Sequence, residues 1–230
     1  MANILAVMQP MFIPWAGYFN LMSNSDVFVF LDDVQLEKQS WQTRNRLLLD
    51  GQIKWVSLPI EHRGLKQKIS ETRIIENKKW FNSLSDSFKR NYAKHAYFNS
   101  AIEIIDFFLN NTNELLSVRN EETIIFIAKK LNIKTKIYRS SSLDIKGIRS
   151  DRLINFCSYF NAKIYLSAIG SSNYLRDDNF NERSPSSLLF QEYTPQYYYQ
   201  KNSENFVSHL SIVDVVANMG WEETREYIRG

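Results

Sequence analysis

Two unbroken apolar runs open the chain, Ile4-Leu5-Ala6-Val7 and Val27-Phe28-Val29-Phe30-Leu31. Short apolar runs without alternation mark strands that are covered on both faces. Residues 3–8 and 26–31 are therefore expected to be strands, joined by a short helix from about Gly17 to Ser23. Further on, Arg46-Leu47-Leu48-Leu49 and Ile53-Lys54-Trp55-Val56-Ser57-Leu58 flank Asp50-Gly51. Asp-Gly between two strand-like runs predicts a β-hairpin, because both residues tolerate the positive φ of a tight primed turn.

From about Glu76 to Leu131 the apolar spacing becomes helical. Trp80, Phe81, Leu84, Phe88 and Tyr92 form one stripe, Ile102, Ile105, Phe108 and Leu109 a second, and Thr123, Ile124, Ile127, Ala128 and Leu131 a third. These read as the core faces of three helices. A strand follows over Lys134–Tyr138, then a helix from about Ser150 to Phe160 with Ser150 or Asp151 as its N-cap. Lys163–Leu166 and Leu188–Gln191 read as further strands. Ser211 to Asn218 opens a C-terminal helical pair, with Ser211 placed to cap and Asp214 in the capping-box position. Tracts 61–68 and 176–187 read as loops, the second a candidate lid. Alternating strands and helices predict an α/β protein: a mainly parallel, Rossmann-like (nucleotidylyltransferase-like) sheet with flanking helices, a β-hairpin and a helical insertion. The 230 residues suit a single domain over 1–230 with a helical subdomain at about 76–131.

A net charge of +3 without a dense basic stripe argues against a DNA partner and is compatible with an anionic metabolite. The aromatic share of 14% suits stacking on a sugar or base, and equally suits core filling. The lone cysteine, Cys157, lies in an apolar helical stretch and reads as core; it leaves no disulfide framework and no thiolate cluster. No signal-peptide pattern and no membrane-length apolar run is present, so a soluble cytoplasmic protein is expected.

Candidate chemistry gathers where the expected strands end, the edge at which open α/β sheets bind ligands. The first strand runs into Gln9-Pro10, and the turn continues through Trp15, Gly17 and Tyr18. Gly17 permits a close approach, and a helix start offers free amides to a phosphate. Trp15-Ala16-Gly17-Tyr18 overlays the His-x-Gly-His spacing of nucleotidylyltransferase folds with both imidazoles replaced, which fits the fold and argues against adenylyl transfer. The second strand ends in Asp32-Asp33, candidate bases or ammonium ligands, followed by Gln35 and Lys38. Successive strand residues point to opposite faces, so the two carboxylates are not expected to share one ligand. Trp41, Arg44, Asn45 and Arg46 suit stacking and bidentate phosphate binding. Lys146, Ser167 and Gly170 lie in small or basic loops that could cradle phosphate. Of the scattered histidines, His95 reads as a capping or surface residue, and His62, on a loop, is a candidate base. The histidines lack metal-ligand spacing, so no bound metal is expected.

With these residues in place, the chain resembles the WbqC-like protein family. The resemblance rests on Met8-Gln9-Pro10, Pro14-Trp15-x-Gly17-Tyr18-Phe19, Phe28-Val29-Phe30-Leu31-Asp32-Asp33-Val34-Gln35 and Lys38-x-Ser40-Trp41-Gln42-x-Arg44-Asn45-Arg46. Trp55-Val56-Ser57-Leu58-Pro59, Ile137-Tyr138-Arg139-Ser140-Ser141, Tyr165-Leu166-Ser167 and Leu210-Ser211-Ile212-Val213-Asp214 extend it over nearly the whole chain. After Tyr165-Leu166-Ser167 the family tends to show Gly-Pro-Gly or Gly-x-Gly, where this chain has Ala168-Ile169-Gly170. The resemblance implies a role in bacterial surface-polysaccharide (O-antigen or capsule, lipopolysaccharide) biosynthesis, working on nucleotide-linked sugars. The expected activity is transfer of an acyl or aminoacyl group to the amine of a nucleotide-linked amino sugar, with coenzyme A, an acyl carrier protein or charged tRNA as donor. Asp32, Asp33 or His62 would deprotonate the amine. A non-catalytic nucleotide-sugar-binding or scaffold protein, or an ATP-dependent ligase, stands as the alternative.

Overall fold

The computed structural model describes residues 3–62, 64, 66–201 and 203–230. Strands β1 (Ile4–Met8), β2 (Val27–Phe30), β5 (Lys136–Arg139), β6 (Ile164–Ser167) and β7 (Ser187–Phe190) form a wholly parallel sheet in the order β5-β2-β1-β6-β7. Counted among themselves these strands run 3-2-1-4-5, the doubly wound order, with the reversal between β1 and β6. Helix α1 (Ala16–Ser23) connects β1 to β2.

The unbroken apolar spelling of β1 and β2 follows from two cores, one on each face. Ala6, Phe28 and Phe30 point into the larger core, with α2 (Lys78–Tyr92), α3 (Phe98–Asn110), α4 (Leu116–Lys130) and α8 (Ile212–Tyr227). Leu5, Val7, Val27 and Val29 point into the smaller one, against Phe156 and Cys157 of α5 (Arg149–Phe160), Leu175 of α6 (Ser172–Asp177) and Phe180 of α7 (Phe180–Arg183). Alternate residues of one strand thus serve opposite layers. Cys157 is buried, as its apolar stretch implied.

The crossover from β2 to β5 carries the hairpin and three helices. Strands β3 (Arg44–Leu49) and β4 (Gln52–Ser57) pair antiparallel around Asp50 (φ 53) and Gly51 (φ 69), both left-handed as the Asp-Gly turn requires.

Several local expectations are corrected. The tract 176–187 is α6, α7 and the start of β7, with Phe180 in the core, because its polar spelling hides one buried aromatic. Helix α5 begins at Arg149 with no side-chain cap; Ser150 instead donates to Asp178 at 2.7 Å. Ser211 does cap α8, accepting from the Val213 amide. Asp214 does not close a capping box: it is fully buried and accepts from Tyr92 at 2.8 Å and Tyr198 at 2.7 Å. His95 is buried against Tyr92 rather than exposed. The C-terminal pair exists as α8 broken at Gly220, whose φ of 74 interrupts the helix.

Candidate functional site

The loop leaving β1 is bound into a buried amide network. Tyr18 donates its hydroxyl to the Gln9 carbonyl at 3.1 Å, and Gln42 donates to Gln9 Oε1 at 2.9 Å. Asn120, fully buried on α4, donates to the carbonyls of Pro10 and Gln42. Asn45 donates to the carbonyls of Phe12 and Ile13, and so fastens β3 to this turn. The space that Gly17 leaves is taken by the Trp15 indole, since a Cβ there would fall 2.1 Å from the ring. Trp15 stacks in turn on His209, with ring centroids 4.5 Å apart. Trp15, Gly17, Tyr18 and Asn45 therefore pack and fasten the turn after β1.

The Asp32-Asp33 pair sits at the end of β2 and faces the start of the segment after β5. Asp32 is buried and accepts from the Ser141 amide at 2.9 Å, from the Ser141 hydroxyl at 2.6 Å and from the Ser140 hydroxyl at 3.0 Å. Asp33 accepts from Arg152 of α5 at 2.6 Å and also reaches the Ser140 hydroxyl at 2.5 Å. The two carboxylates thus share Ser140, contrary to the opposite-face expectation, because β2 ends at Phe30 and strand alternation no longer governs them. Partial burial works against the Asp33 charge. The hydrogen bonds from Arg152 and Ser140 outweigh it and hold the carboxyl below its ordinary range.

Asp33 lies where two cavities meet. One, of about 450 Å³, is lined by Asp33, Lys68, Ser141, Lys146, Gly147 and Arg152 among others. The second, of about 400 Å³, shares Asp33, Gly147 and Arg152 and extends to Gln35 and Tyr174. Gln35 also borders a third and larger cavity of about 830 Å³, whose wall includes Lys38, Thr43, Arg44, Ser57 and His62. Together they make a groove along the carboxyl ends of β2 and β5 and beneath the hairpin. Ser167 and Gly170 lie elsewhere: Ser167 pairs with Ser171 at 2.6 Å, and Gly170 sits in an exposed turn after β6.

On the hairpin, Arg44 stacks 4.1 Å over Trp55 and Arg46 lies 5.7 Å from the Trp41 ring. Arg46 also donates to the carbonyls of Ser208 and His209, tying the hairpin to the segment before α8.

Three contributors to this region were not singled out from the sequence. Arg152 looks like an ordinary charge on a helix face. Trp55 reads simply as a strand residue. Glu121, beside Glu122 on α4, spells a solvated face yet is fully buried, with Arg139 bonded to one carboxyl oxygen and no protein donor on the other. Burial pushes its carboxyl up to about 7, against the pull of Arg139 and with Asp32 adding to the rise. Among the described residues, no group of three or more His, Cys, Asp and Glu side chains is placed to hold a metal ion. No helix among them is long and apolar enough to cross a membrane.

The model of the WbqC-like protein family matches residues 9–226. The chain belongs to this family. The match takes in every segment of the groove, from Gln9 through α8. The chain is also similar to an uncharacterized protein of Mycobacterium tuberculosis, Rv1507c, which is 30% identical over 230 residues, 98% of this chain and 97% of that one. No solved structure matches the chain.

Proposed function

We propose that this WbqC-like protein binds a nucleotide-linked amino sugar in the groove and transfers an acyl or aminoacyl group to its amine in bacterial surface-polysaccharide assembly. The observation that supports it best is Asp33. Its carboxylate is kept ionised by Arg152 at the junction of two cavities. An ionised carboxylate there suits a sugar ammonium. His62, across Gln35 in the larger cavity, is the residue to take the amine proton. Asp32 spends its oxygens on Ser140 and Ser141 and is a positioning residue.

The amine nitrogen forms a bond to the donor's carbonyl carbon, the carbon–sulfur or carbon–oxygen bond of the donor breaks, and the amine proton passes by way of His62 to the leaving group. Such aminolysis needs orientation and a neutral amine, not a covalent intermediate on the protein. The test is mass spectrometry of the protein with nucleotide amino sugars and acyl donors. An acyl mass increment is expected; His62→Gln should lower kcat about a hundredfold or more with sugar affinity within a few-fold, and Asp33→Asn, which removes the ammonium's partner, should weaken sugar binding about tenfold or more. Wild-type affinity in Asp33→Asn overturns the role of Asp33, wild-type turnover in His62→Gln overturns that of His62, and absence of product with every pair overturns the transferase.

A second reading, binding without chemistry, is favoured by one specific feature. Asp32 is saturated with hydrogen bonds and Asp33 is held as a weak base, so neither carboxylate is poised to accept a proton.

A further inference from the structure

Two arginines of the hairpin, Arg44 and Arg46, have no carboxylate partner among the described residues. Among the described residues Arg44 donates to the side-chain oxygen of Gln39 and lies over one face of Trp55, and Arg46 donates to two backbone carbonyls and lies near Trp41. The Nε atoms of both are buried and have no acceptor. Arg139, Arg152 and Arg183, by contrast, each pair with a carboxylate. Arginines left without carboxylates beside a cavity are the arrangement that phosphate oxygens complete.

The strand register adds an aromatic platform to these cations. Arg44 pairs with Ser57 and Arg46 with Trp55, and residues opposite one another in an antiparallel pair project from the same face. Arg44 and Ser57 line the cavity of about 830 Å³, so Arg46 and Trp55 form the next rung on that face. Trp55 is 45% exposed and Trp41 36%, with ring centroids 5.0 Å apart. Two half-exposed indoles, two guanidiniums without carboxylate partners and the largest cavity of the groove are therefore contiguous.

We propose that this hairpin face and the adjoining cavity form a nucleoside-diphosphate subsite, with the base stacked on Trp55 and the phosphates held by Arg44 and Arg46. The proposal rests on the transferase reading only for its choice of ligand, because it requires no group transfer. Two sources supply the chemistry, the nucleotide of the sugar and the adenine nucleotide of coenzyme A.

The test is titration of the full chain with UDP, dTDP, ADP, coenzyme A and inorganic pyrophosphate, read by tryptophan fluorescence and checked by calorimetry. A nucleotide is expected to bind with quenching, and Trp55→Ala to weaken it about tenfold or more, in line with losses on removing a base-stacking aromatic. Trp55→Phe should restore most of the affinity. Arg44→Gln should weaken nucleotide and pyrophosphate alike. Preference for UDP or dTDP assigns the subsite to the sugar nucleotide, and preference for coenzyme A over UDP and dTDP assigns it to the donor; either supports the proposal. Pyrophosphate bound as tightly as the nucleotides, unchanged in Trp55→Ala, overturns the stacking. No binding of any nucleotide at millimolar concentration overturns the subsite, and the mass-spectrometric test of transfer stands apart from both results.

Discussion

Replacing Glu121 with glutamine should change the pH dependence of stability more than stability itself. Glu121 is fully buried, and its carboxyl, ordinarily at 4.5, sits at about 7. An acid whose folded-state value is raised binds its proton more tightly when folded. Its stabilising contribution is complete below about 4.5 and is lost as the pH climbs through about 7. Moving a carboxyl across that window corresponds to about 3 kcal/mol. Glutamine keeps the shape, accepts from Arg139 and cannot ionise. Near pH 5 the variant should lie within about 1 kcal/mol of the wild type, the range of a single exchanged hydrogen bond. By about pH 8 the difference should have moved in the variant's favour by up to about 3 kcal/mol. Urea unfolding followed by circular dichroism at pH values from about 5 to about 8 measures the gap directly. A gap that stays flat over that range would mean that Glu121 does not titrate there, and would refute the reasoning.

Two further substitutions probe the scaffold. Gly17→Ala should cost about 1–3 kcal/mol and shift the near-ultraviolet dichroism, because the added Cβ would displace the Trp15 ring from 2.1 Å and break its stack on His209; an unchanged spectrum counts against that packing. Asp214→Asn should lower stability by about 2–3 kcal/mol in urea unfolding, because an amide has one acceptor oxygen for two phenol donors and brings a new buried donor; a loss below about 0.5 kcal/mol would show that Tyr92 and Tyr198 find other partners.

The parts of the fold that were legible in the sequence are those whose residues answer to one demand. Val27–Phe30 must be apolar on both faces, and Asp50-Gly51 must turn left-handed, so each spells its role without ambiguity. Ser150 and Asp214 carried helix-start spelling but answer to tertiary partners, Asp178 in one case and two tyrosines in the other. At the site, Asp33, Gln35, Lys38, Arg44, His62 and Lys146 do line the cavities. Trp15 and Gly17 looked like a ligand approach because a glycine vacated for a protein side chain is spelled the same as one vacated for a phosphate. Arg152 and Glu121 were invisible for a different reason. A charge on a helix reads as solvated until the fold shows which face turns inward.

The strand order also governs how the chain emerges during synthesis. β1 pairs with β2 within the first thirty or so residues, but its other neighbour, β6, ends at Ser167. At about 5–20 residues per second, the intervening stretch takes on the order of ten seconds to make. For that time the central strand of the finished sheet, Ile4–Met8, is an edge strand with an open ladder of amides and carbonyls. Such an edge pairs readily with other chains. The nascent protein thus has a period of aggregation risk set by topology alone, closed only when the β6 segment arrives.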